Sequence, residues 1–75
     1  MLGKHIYYHW DAIGWLQGFV CEVNDDPEVT DDDGDVANFL VHYEYDDEVV
    51  PSALYLEHYN ASREAPTSSW YIVAE

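Results

Sequence analysis

Positive charge is what this chain has least of. Lys4 and Arg63 are its only strong cations, set against 16 Asp and Glu, and the formal net charge is −14. Contacting phosphates takes several Lys and Arg, so direct binding of nucleic acid is excluded. An anionic membrane surface is disfavoured for the same reason. Long hydrophobic runs are missing as well, and no stretch approaches the ~20 apolar residues of a spanning helix. Cys21 is the only cysteine, which excludes an intramolecular disulfide and points to a reducing compartment. The opening residues Met1–His5 lack the charged-then-apolar pattern of a secretion signal. An intracellular setting is therefore expected, with the nucleus among the compartments that fit, and Asn60-Ala61-Ser62 is read as a chance glycosylation triplet.

Internal repeats and any long helix-period apolar stripe are also absent, which leaves the two-residue period of strands as the dominant signal. His5–Trp10 reads as a first strand with Ile6, Tyr8 and Trp10 on one face. Asp11–Gly14 reads as a turn and 15–23 as a second strand, where Gly18 marks a bend or a close backbone approach. The acidic stretch 24–35, with Pro27 and Gly34, is expected to be a mobile loop. A third strand is expected over 37–45, with Phe39, Val41, Tyr43 and Tyr45 on one face and Leu40, His42 and Glu44 on the other. Asp46-Asp47 reads as a tight hairpin turn into a fourth strand, Glu48–Val50, ended by Pro51. One helical or 3₁₀ turn is expected within 51–59, a loop over 60–69, and a last strand over 68–74.

These elements make one all-β domain over residues 1–75, in which five short strands suit a small closed or nearly closed barrel. Such a chain buries only roughly 60% of its unfolded surface, so its interior has to be dense. Three Trp, seven Tyr and two Phe supply that density. A barrel this small cannot enclose all twelve rings, however, and some must remain at the surface beside carboxylates. Net negative charge draws cationic partners from a distance, so a basic protein or peptide, such as a histone tail, is the expected partner and a monomer the expected state.

Catalytic and metal chemistry fare poorly against the same residues. If Gly34 took the glycine position of a calcium loop, Val29 and Leu40 would stand where ligands are needed, so no metal or other cofactor is expected. His5, His9, His42 and His58 have no zinc spacing. Cys21 lies mid-strand beside an acid, surroundings opposite to those that activate a thiolate, and reads as core filler. The chain is not read as an enzyme.

Three segments together resemble a known family: Trp10-Asp11, Gly14-Trp15-Leu16-Gln17-Gly18-Phe19-Val20, and the hairpin Phe39 to Glu48. They resemble the Tudor-like branch of the SH3-like barrels, over about Ile6 to Leu56. That resemblance implies a five-stranded SH3-like barrel and a reader of methylated lysine or arginine, usually on histone tails, through an aromatic cage with an acidic member. Matched position by position, Trp10 stands at the first cage aromatic, Tyr45 at the hairpin aromatic and Asp47 at the acid. The pattern departs at Leu16 and Val49, where the family tends to have aromatics, and at Glu48, where it prefers Gly. Trp15, Tyr43 and Asp46 are expected to assist. Two rival readings are an acidic DNA mimic that occupies a nucleic-acid-binding protein, and a structural module of a larger chromatin or mobile-element protein.

Overall fold

Alternating burial along His5–Trp10, with Ile6 and Tyr8 sealed and Tyr7 and His9 half-covered, makes β1 a strand with one dry face. The computed structural model describes residues 1–73. After β1 come β2 (Gly14–Val23), β3 (Phe39–Tyr43), β4 (Glu48–Ser52), a 3₁₀ turn at Leu56–His58 and β5 (Trp70–Ile72). Every strand pairing is antiparallel, and the sheet order is β4-β3-β2-β1-β5. This is an all-β fold with the strand order of a small SH3-like barrel. The segment after the 3₁₀ turn lies along the free side of β5, where the amide of Asn60 donates to the Trp70 carbonyl at 3.0 Å. That contact covers an edge which would otherwise be open to pairing with another chain.

The dry face gathers Ile6, Tyr8, Val20, Val41, Tyr43, Leu54 and Trp70, with Trp10, Leu16, Phe39 and Val50 packed around them. Two polar atoms buried with this cluster find partners. The Trp70 indole N–H donates to the Tyr55 carbonyl at 2.9 Å, and the Tyr43 hydroxyl lies 3.3 Å from Ser52 Oγ. Gly18 is the close approach that its place in a strand predicts. A Cβ there would stand 2.5 Å from Val41 Cγ1 and 2.9 Å from Tyr43 Cε1, so the ring of Tyr43 occupies the space that any other residue would need.

Several local expectations need correcting. The third strand ends at Tyr43, because Tyr43 pairs with Glu48 and four residues, Glu44 to Asp47, form the turn between them. Asp47 takes a left-handed φ of 55° to close that turn. Tyr45 is thereby lifted off the strand and onto the turn. Ala37 and Asn38 precede the strand, and the Asn38 side chain is spent on the backbone of Leu54, donating at 2.8 Å and accepting at 2.7 Å. Pro51 does not end β4 but lies within it opposite Leu40. β4 is an edge strand, where a missing donor that faces outward breaks no ladder bond. β5 begins at Trp70 because Ser68, at φ 73°, breaks the extended chain before it, and Ala74 lies outside the described residues.

Cys21 is exposed instead of filling the core. Val20 pairs with Val41 and Glu22 with Leu40, so Cys21 is the extra residue of a β-bulge that removes it from the alternation. Its thiol contacts the Leu40 carbonyl at 3.4 Å. The acidic segment expected as a loose loop is folded back on itself. Asp31 Oδ1 accepts the amides of Asp33 and Asp35, each at 2.9 Å, Thr30 bridges to Val36, and the Asn24 amide reaches the Ala37 carbonyl at 2.7 Å.

Replacing Gly18 with alanine should lower unfolding free energy by about 1–3 kcal/mol, the usual cost of overfilling a packed interior. Urea denaturation measures it, and a Gly18→Ala protein as stable as the parent would show that Tyr43 and Val41 yield freely.

Candidate ligand-binding recess

Two turns and one loop meet at the end of the sheet where β1 stops. Trp10 closes β1 by pairing with Gly14, which places its indole on the same face as Tyr8 and Leu16. The indole is held by ring packing, at 5.0 Å between centroids from Tyr8 and 5.3 Å, nearly perpendicular, from Tyr43. Its Nε1 is buried and has no hydrogen-bond acceptor. The β3–β4 turn carries Tyr45 to the same end, where it is 68% exposed.

Between them opens a recess of about 350 Å³ lined by Trp10, Tyr43 and Tyr45, with Ile13, Leu16 and Val50 completing the apolar wall. Asp32, Asp46 and Glu48 supply its carboxylates. Among the described residues no carboxylate is paired with Lys or Arg; the two ion contacts join His42 to Asp47 and His58 to Glu57. Negative charge at the mouth is therefore not neutralised from within the chain, and low-dielectric walls concentrate its field on the opening. Ring faces beside free carboxylates in a half-dry recess attract cations by both the ring quadrupole and direct charge.

Of the residues predicted from sequence, Trp10, Tyr43, Tyr45 and Asp46 come together here. Tyr43 forms the floor and is itself only 2% exposed, so it offers a patch of ring and not a wall. Trp15 and Asp47 are placed elsewhere. Trp15 pairs with His9, one position out of step with Trp10, and this sets it on the opposite face of the sheet. There it stacks on the His9 ring at 4.8 Å and meets the Tyr71 ring at 5.3 Å. Asp47 is turned to His42, whose Nε2 lies 2.6 Å from its Oδ1, and it does not line the recess. The acidic part expected of Asp47 falls to its neighbours Asp46 and Glu48.

Asp32 is the lining residue that local pattern could not have found. It arrives because the 24–36 segment folds over the end of β1, and only the turn-forming run Asp31-Asp32-Asp33-Gly34 hinted at a tight bend. Ile13 and Val50 likewise carry no local signal. Among the described residues no three His, Cys, Asp or Glu gather as a metal site. No protein-family model, curated protein or solved structure matches the chain.

Burial raises the pKa of the Tyr43 phenol well above the usual tyrosine value, with Tyr8 adding to the effect and the Ser52 hydrogen bond opposing it. Tyr8 shifts the same way, first through burial. Both phenols therefore lose protons more readily in the unfolded chain, and stability that is complete below the unfolded pKa of about 10 declines as pH rises through the folded values. Melting temperatures measured from neutral pH into strong alkali should fall steeply above about pH 10. Tyr43→Phe should flatten the fall, and an equally steep fall in that variant would rule out this phenol as its source.

Proposed function

We propose that the chain is a non-catalytic, Tudor-like interaction module that takes a cationic side chain of a basic peptide into the recess at the end of β1. The observation that carries this reading is the convergence of Trp10, Tyr43 and Tyr45 with three unneutralised carboxylates on one opening. Methylation of a lysine or arginine weakens its hydration and leaves its charge, which suits it to ring faces more than to water. A methylated lysine or arginine, as on a histone tail, is the best-matched group. Such a partner goes with an intracellular setting, the nucleus among the compartments that fit.

Leu16 stands where an aromatic would complete a fuller cage, so the recess relies more on charge than on enclosure. Asp46 lies in the turn that bears Tyr45 and Glu48 follows at the start of β4, so both would contact a cation resting on that ring. The shape of the site also favours a peptide reader over a DNA mimic. A mimic needs carboxylates spread along an outward face at phosphate spacing, whereas Asp32, Asp46 and Glu48 ring a concave opening.

Titration with Lys/Arg-rich peptides in unmodified and methylated forms should shift the amide resonances around Trp10 and Tyr45. Tyr45→Ala should weaken binding roughly tenfold, since a cation resting on a partly dry ring is worth about 1–2 kcal/mol. This variant is cleaner than Trp10→Ala, because Tyr45 is exposed and Trp10 also supports Tyr8 and Tyr43. Asp47→Asn should leave affinity unchanged. Resonances unmoved by every peptide would end the reading, and capture of a DNA-binding protein that is released by duplex DNA would favour the mimic.

A further inference from the structure

A second recess, of about 370 Å³, adjoins the first, and the two share Trp10, Ile13 and Asp32 as a common wall. Its character is different. Beyond the shared wall its lining includes Tyr8 at the back, Asp11 from the β1–β2 turn, Asp31 and Asp33 from the acidic segment, and Ser68 from the approach to β5. Ser68 Oγ donates to Asp33 Oδ2 at 3.1 Å, a contact that ties the acidic segment to the chain entering β5 and encloses the space from above. Elements far apart in sequence thus build one concavity, rich in acceptors and poor in free ring surface.

We propose that the two recesses form one bipartite groove for an extended basic peptide, with a lysine in the aromatic recess and an arginine guanidinium in the acid-lined one. This inference rests on the peptide-binding reading and adds to it a second cation of defined kind and spacing. Arginine suits the second recess because its five donors, in a planar fork, engage several acceptors at once and its charge is weakly hydrated. A lysine ammonium is a compact, strongly hydrated point charge and gives up more water to enter. The field at the back wall is consistent with a cation site. Burial is the first cause of the raised Tyr8 pKa, and the charges of Asp31, Asp33 and Asp35 raise it further. Negative potential therefore reaches into the recess and is not confined to its rim. Because the recesses share a wall, the peptide that would fill both is one whose cations stand on one side at alternate positions, roughly 7 Å apart in an extended chain.

The test uses the full chain and short Gly/Ser peptides carrying trimethyllysine alone, trimethyllysine with arginine two positions away, the same with citrulline for arginine, and trimethyllysine with arginine placed far along the peptide. Calorimetry should give an affinity roughly tenfold higher for the close arginine than for citrulline, as charge-assisted hydrogen bonds in a partly enclosed site allow. Asp11→Asn should remove most of that gain and leave the trimethyllysine-only peptide unaffected. Asp25→Asn, an exposed acid outside both recesses, controls for net charge and should have little effect on the gain.

Equal affinity for the arginine and citrulline peptides, with Tyr45 still shifted by both, would overturn the bipartite groove and leave the single-cation reading standing. An equal gain from the distant arginine would overturn it too, by showing diffuse attraction in place of a site. Failure of every peptide to bind would remove both readings together.

Discussion

A ring as large as that of Tyr43 lies across β2 only because position 18 has no side chain, and the end of the molecule that holds the recess follows from that allowance. The Tyr43 ring stands with Val41 over Gly18 and meets the Trp10 ring nearly at right angles. Trp10 has no hydrogen bond to fix its indole, so the pose of the aromatic wall depends on Tyr43 below it and Tyr8 beside it. Leaving a buried donor without an acceptor costs about 1–3 kcal/mol. The fold carries that cost at Trp10, the one ring common to both recesses.

Charge is the second constraint. With a formal net charge of −14, the folded chain repels itself, and the acidic 24–36 segment concentrates the problem. Its solution is to spend carboxylates as hydrogen-bond acceptors. Asp26 receives the Glu28 amide, Asp31 receives those of Asp33 and Asp35, and Asp33 receives the Ser68 hydroxyl. The three amide bonds satisfy backbone donors that a loop would otherwise leave to water, and together with the Ser68 contact they bend the segment over the β1–β2 turn. Asp32 is brought beside Trp10 as a consequence. The segment most easily dismissed as solvated spacer thus becomes the partition between two openings.

The all-β fold was legible in the sequence because two-residue alternation is strong in β1 and around Val41 and Tyr43, and because Gly18 had a physical reason to interrupt a strand. The hairpin was legible as a hairpin but not in its length. A run of Glu44, Tyr45, Asp46 and Asp47 fits a two-residue or a four-residue turn, and only the pairing of Tyr43 with Glu48 decides between them. That choice sends Asp47 to His42 and leaves Asp46 and Glu48 at the recess. Trp15 was expected to assist, but it stands one position out of step with Leu16, and its pairing with His9 sets it on the face opposite Trp10. Cys21 escaped because a bulge has no signature in alternation beyond the break that it causes. Asp32 could not be found locally at all, since its position depends on the closure of a long segment.

The three tryptophans occupy three unlike surroundings. Trp70 is sealed in the interior with its indole bonded to a carbonyl, Trp15 lies flat on an imidazole on the far face, and Trp10 sits half-covered at the opening. Intrinsic fluorescence of the native protein is consequently a composite of a signal from the interior, one from the far face and one from the recess, and a change in its colour acquires a residue-level meaning only after two of the three indoles are silenced optically.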